Sequence, residues 1–114
     1  MIETWVEKIR TNDPKQVVSL YHDDGLLLGT FSDIERKGHD LILAYFENLL
    51  KSKVDVEVVT QNKHETDSIT VNSGLYNFIV DGKTVNARFS FVFIKTGDEW
   101  KILSHHSSVL PESH

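Results

Sequence analysis

The spacing of hydrophobic positions changes part-way along the chain. Ile2, Trp5, Val6 and Ile9 fall at i, i+3, i+4 and i+7, the spacing of one helix face. That stripe stops at Thr11-Asn12. Asp13-Pro14 then offers an N-cap followed by proline in the first helical position, where an N–H has no intrahelical partner anyway. A second helix is expected to carry Val17, Val18, Leu20 and Tyr21 and to end at Asp23-Asp24-Gly25, before a short apolar strand from Leu26 to Phe31. Gly38-His39-Asp40 opens a third helix with the stripe Leu41, Ile42, Tyr45, Phe46, Leu49 and Leu50.

From Val54 onward the period is two. Val54, Val56 and Val58 alternate with Asp55 and Glu57, so these acids point away from the apolar side. Two long strands, Ile69 to Val80 and Thr84 to Lys95, flank Asp81-Gly82, a strong hairpin signal. Thr96-Gly97 separates the second of them from a last strand, Glu99 to Val109, closed by Pro111. Three helices with one early strand, then an antiparallel meander, make an α+β domain spanning 1–114.

The last hairpin sorts side chains into two faces. With Thr96-Gly97 as a two-residue loop, one face carries Phe89, Phe91, Phe93, Trp100, Ile102, Ser104, His106 and Ser108. The other carries Arg88, Ser90, Val92, Ile94, Lys101, Leu103, His105 and Ser107. The aromatic face is expected to be the concave, helix-covered interior, and the mixed face a subunit interface. A three-residue loop would exchange the partners and turn His105 and Ser107 inward instead.

Composition narrows the chemistry. Twelve Lys+Arg against 17 Asp+Glu give a net charge of −5, which disfavours nucleic-acid backbone, and no basic cluster stands out. With no cysteine, disulfides, thiolate metal sites and Cys nucleophiles are excluded. No apolar run is long enough for a membrane span, and Met1-Ile2-Glu3-Thr4-Trp5 lacks a secretion signal's character, so a cytoplasmic protein is expected.

Ser104-His105-His106-Ser107-Ser108 is the segment most out of place, five polar side chains ending an apolar strand. Either the strand frays into a polar terminus, or these groups form a polar cluster in an aromatic pocket, where histidine can exchange protons near neutral pH. Adjacent strand residues face opposite ways, so the two histidines cannot easily grip one metal ion. His22, His39 and His64 lie at no ligand spacing. No serine sits in a nucleophile-elbow context. On pattern alone Tyr45 is core packing, and Thr30 and Ser32 are turn formers.

Several strings, taken in order along the whole chain, carry a family resemblance. They are Asn12-Asp13-Pro14 with Val17-Val18, Leu26 through Thr30 with Ser32, Tyr45-Phe46-Glu47-Asn48-Leu49-Leu50, Gly74-Leu75-Tyr76, Arg88 through Phe93, and Trp100 through His105-His106-Ser107-Ser108 to Pro111. The chain resembles the association (hub) domain of calcium/calmodulin-dependent kinase II and its stand-alone microbial relatives, a group that includes the iota-class carbonic anhydrases. The resemblance implies a nuclear transport factor 2-like (cystatin-like) cone, with helices on a curved antiparallel sheet, and a homodimer or larger ring built through the outer sheet face. It implies a site without metal or other cofactor, using a threonine, a tyrosine and a histidine-serine pair around bicarbonate. Carried over, these are Thr30, Tyr45, His106 and Ser108, or His105 with Ser107 if the hairpin parity is reversed. The chain departs from many relatives in having Gly29 where they have proline before the threonine, and in a short segment after Lys51.

Three functions follow as expectations. One is metal-independent hydration of carbon dioxide to bicarbonate, with Phe89, Phe91, Phe93 and Trp100 walling the pocket. Another is a non-catalytic homo-oligomerisation module. The last is binding of another small carboxylate. A membrane or nucleic-acid partner is not expected.

Overall fold

The computed structural model describes residues 1–112. The elements are α1 (Ile2–Arg10), α2 (Pro14–Val18), β1 (Tyr21–Leu28), β2 (Arg36–Lys37), α3 (His39–Leu49), β3 (Val54–Val58), β4 (Asn62–Glu65), β5 (Ile69–Val80), β6 (Lys83–Thr96) and β7 (Glu99–Val109). The strands form one sheet in the order β2-β1-β7-β6-β5-β3, with β4 also on β5. All pairs are antiparallel except β1 with β7, so the sheet is mixed where a purely antiparallel one was expected.

The apolar stripe of α1 is buried in full, and α3 buries Ile42, Tyr45, Phe46 and Leu49. Asp13 caps α2 by accepting from the Lys15 N–H at 3.0 Å. Asn12 donates its side-chain amide to the carbonyls of Leu50 and Ser52, at 2.9 and 2.7 Å, tying the α1–α2 turn to the end of α3. The second helix is shorter than its sequence suggests. It ends at Val18, and Tyr21 starts β1, because the backbone from Tyr21 to Leu28 finds a parallel partner in β7. Phe31, expected at the end of that strand, lies exposed in the loop that follows.

Two details of the last hairpin differ from the expectation, and the second decides what faces inward. The turn falls at Gly97-Asp98, one residue later than expected, with Thr96 opposite Glu99. Gly97 takes φ 63° in the first central position, as a type II′ turn asks. Further along, Phe93 pairs with Ile102 but Val92 with Ser104, leaving Leu103 as an extra residue in a β-bulge. The bulge reverses the parity of everything after it. His105 and Ser107, opposite Phe91 and Phe89, point into the core, whereas His106 and Ser108 lie opposite Ser90 and Arg88. The inward placement of Ser104, His106 and Ser108 is therefore corrected, as is the placement of His105 and Ser107 on the outer face.

Trp5 occupies the centre of the concave side. Its ring stacks on Tyr76 at 5.9 Å and meets the rings of Phe91 and His105 edge-on at 5.4 and 5.3 Å. The space that Phe89, Phe91 and Phe93 were expected to wall is thus filled by α1, and these three rings are core. Trp100 is half-buried at the far end of the sheet, beside a hollow of about 240 Å³ that it shares with Phe93, Ile102 and Leu20.

Candidate functional site

Beneath the helices a line of polar side chains crosses the core. The indole N–H of Trp5 donates to the Tyr21 hydroxyl at 3.2 Å, and that hydroxyl bonds His105 Nδ1 at 2.8 Å. On the other side of the imidazole, Nε2 lies 3.1 Å from the Tyr76 hydroxyl, which donates to Ser107 Oγ at 2.5 Å. Ser107 Oγ in turn lies 2.5 Å from Thr30 Oγ1. Four elements supply these groups: α1, β1, β5 and β7, with Thr30 in the loop after β1. Each inward position has a polar end facing another polar end, which is how a core of aromatic rings accommodates a histidine without leaving it unbonded.

Burial governs the protonation of this line. Desolvation, helped by the neighbouring His106, pushes the His105 imidazole from 6.5 down to about 3, so it is neutral at physiological pH. Phe91 stacks on it at 3.9 Å. Burial also drives the Tyr21 and Tyr76 hydroxyls far up, so both keep their hydrogens. Desolvation raises Tyr45 to about 12, against smaller opposing effects of the Phe31 backbone and the Arg36 guanidinium.

The line ends at a surface cleft of about 310 Å³. Its lining includes Thr30, Ser107, His106, Ser108, Asp33 and Glu35, of which Ser107 is buried, Thr30 and Ser108 half-buried, and the other three exposed. Of the carried-over residues, Thr30 and Ser107 are in contact, and His105 joins them through Tyr76. His106 and Ser108 share the same cleft from outside the core. Tyr45 is set apart. It packs against residue 29, where a Cβ would come within 2.5–2.8 Å of its ring and hydroxyl, so only glycine leaves it room. It borders a separate hollow of about 230 Å³ with Arg36 and Asn48. Gly29, read as a departure from the family pattern, is thus matched to this chain's Tyr45.

Sequence reading missed Trp5, Tyr21 and Tyr76 as members of the site. One signal pointed to them: an inward histidine needs polar partners, and tyrosine and tryptophan are the residues that bring a polar end into an aromatic core. Among the described residues, no three His, Asp or Glu side chains are gathered as a metal-ligand group. No described helix is long and apolar enough to cross a membrane.

A SnoaL-like domain model matches residues 1–112. The chain belongs to the SnoaL-like domain family. Among solved structures, this SnoaL-like protein is 35% identical to one from Xanthomonas campestris named for the calcium/calmodulin dependent protein kinase II association domain; the match covers 98% of this chain and 84% of that one, with a TM-score of 0.92. At 18% identity it shares its fold with an NTF2-like protein from Pseudomonas putida KT2440 (94% and 80% covered, TM-score 0.82). At the same identity it shares it with a protein from Parabacteroides distasonis ATCC 8503 named as a ketosteroid isomerase (96% and 84% covered, TM-score 0.81). Among curated proteins no relative matches. The association-domain resemblance and the nuclear transport factor 2-like α+β fold read from the sequence both stand.

Proposed function

We propose that this SnoaL-like protein is a metal-independent carbonic anhydrase, hydrating carbon dioxide at the cleft beside Thr30. The observation that carries the reading is the Thr30–Ser107 hydroxyl pair, backed by buried groups and opening on a cleft that His106 also lines. In the reaction, a hydroxyl of the pair bonds one oxygen of carbon dioxide. As water attacks the carbon, negative charge grows on that oxygen, and a donor already in place stabilises it most where charge develops. The attacking water's proton passes to the His106 imidazole at the rim and then to solvent, leaving bicarbonate. His105, neutral and enclosed, orients the pair and does not act as the base.

Stopped-flow hydration assays on chelator-treated protein test this. Activity should survive chelation. Thr30→Val should lower kcat/KM by about a hundredfold, the scale of losing one such donor, and His106→Ala should slow turnover in weak buffer with recovery in imidazole. Abolition of activity by chelation overturns the metal-free mechanism.

A second reading has its own support. The outer sheet face carries Ile69, Val71, Val92, Ile94 and Leu103 partly or fully exposed, and the 35% identical structure is named for an association domain. An assembly role through that face is compatible with the enzyme reading and replaces it if no hydration is found.

A further inference from the structure

The buried line has a direction. Its five contacts need one hydrogen each. Six hydrogens are available: one on the Trp5 indole, one on a neutral imidazole, and one on each of the hydroxyls of Tyr21, Tyr76, Ser107 and Thr30. Indole N–H only donates, so the first contact is filled from Trp5, and Tyr21 must place its own hydrogen elsewhere. Tyr21 and Tyr76 are 1% and 0% exposed, so a hydrogen stranded on either would be a buried unpaired donor. Tyr21 therefore donates to Nδ1, the imidazole hydrogen sits on Nε2 and goes to Tyr76, and Tyr76 donates to Ser107. The hydrogen left over belongs to Thr30 or Ser107, and both of those line the cleft.

The far end also closes the line to proton traffic. Trp5 cannot take up a hydrogen, so the hydroxyls cannot all turn over together and relay a proton across the core. On the cleft lining, Asp33 and Glu35 are both exposed and set two carboxylates against an anion, outnumbering the one guanidinium, Arg36, that bonds Ser32 of the same lining.

We infer that Trp5, Tyr21, His105 and Tyr76 are positioning residues that hold a hydroxyl hydrogen permanently toward the cleft, and that the cleft selects neutral molecules with an acceptor oxygen. This deepens the carbonic anhydrase reading and rests on the same cleft, since carbon dioxide is such a molecule and bicarbonate would leave past two carboxylates. Two measurements test it without turnover. Nitrogen-15 NMR of the wild-type protein should find His105 with its hydrogen on Nε2 and a bare Nδ1; a hydrogen on Nδ1 overturns the direction. Titrations with acetone, a neutral acceptor, and with formate, read at the Thr30 and Ser107 amides, should show acetone binding more tightly at low salt. Thr30→Val combined with Ser107→Ala, which removes both hydroxyls of the pair, should weaken acetone by about five- to tenfold, the scale of one hydrogen bond, and Asp33→Asn with Glu35→Gln should strengthen formate alone. Equal acetone affinity in wild type and in the Thr30→Val, Ser107→Ala protein, or formate binding tighter than acetone to the wild type, overturns the proposal. A protein that passes these tests yet hydrates no carbon dioxide discards the enzyme reading and leaves the donor line standing.

Discussion

Two neighbouring histidines have opposite fates, and one substitution at each separates them. His105 bonds two tyrosines and stacks on Phe91, so His105→Ala opens a cavity and strands a hydroxyl hydrogen on Tyr21. A loss of about 3 kcal/mol is expected in urea unfolding. His106 is exposed, and His106→Ala should stay within about 0.5 kcal/mol. Titration gives the same contrast a second axis. The His105 pKa is depressed by folding, so the unfolded chain binds the extra proton first. Its contribution is complete above pH 6.5 and drains away as pH falls toward about 3, by roughly 1 kcal/mol per pH unit. Unfolding curves at pH 7.5 and pH 5 should differ more for the wild type than for His105→Ala. An equal difference would mean that the imidazole is not held neutral.

Among the elements, those set by local pattern were legible in the sequence and those set by a distant partner were not. The stripes of α1 and α3, the Asp13-Pro14 start of α2 and the Asp81-Gly82 hairpin each depend on residues a few positions apart. Tyr21 reads as helical until β7 is known to lie beside it, and β2 and β4, two and four residues long, carry almost no period of their own. The bulge at Leu103 is the instructive case. His105-His106-Ser107-Ser108 places a histidine and a serine two apart in either parity, so a one-residue slip puts the same chemistry inside. Pattern could name the cluster and leave two choices of side; only the bulge selects one. Deleting Leu103 should remove the extra residue and leave a regular ladder, with Ser104 still opposite Val92 and His105 and Ser107 still inward. In that background, His105→Ala should remain the destabilising substitution and His106→Ala the mild one. If His106 becomes the sensitive position in the deletion, Leu103 is not the residue that the bulge takes up.

At the scale of the whole molecule, the sheet has more apolar surface than its own helices can cover. The inner side of β6 is sealed by Phe89, Phe91 and Phe93, yet its outer side carries Val92 and Ile94 beside Val71 and Ile69 of β5, with Leu103 across on β7. A contiguous apolar sheet face of this kind marks an interface. Two-fold pairing of sheet on sheet covers it without leaving an end that could grow. The bulge changes which polar groups would edge that contact: Arg88 and His106 lie on the outer face, and His105 does not. A homodimer or larger assembly is therefore expected in sedimentation. Val92→Glu, which would bury a carboxylate without a partner in that contact, should return the protein to monomer mass. Because Val92 is only partly covered within one chain, the monomer should remain folded by circular dichroism. A Val92→Glu protein that keeps the wild-type mass would place the interface on another surface and remove the main support for an assembly role.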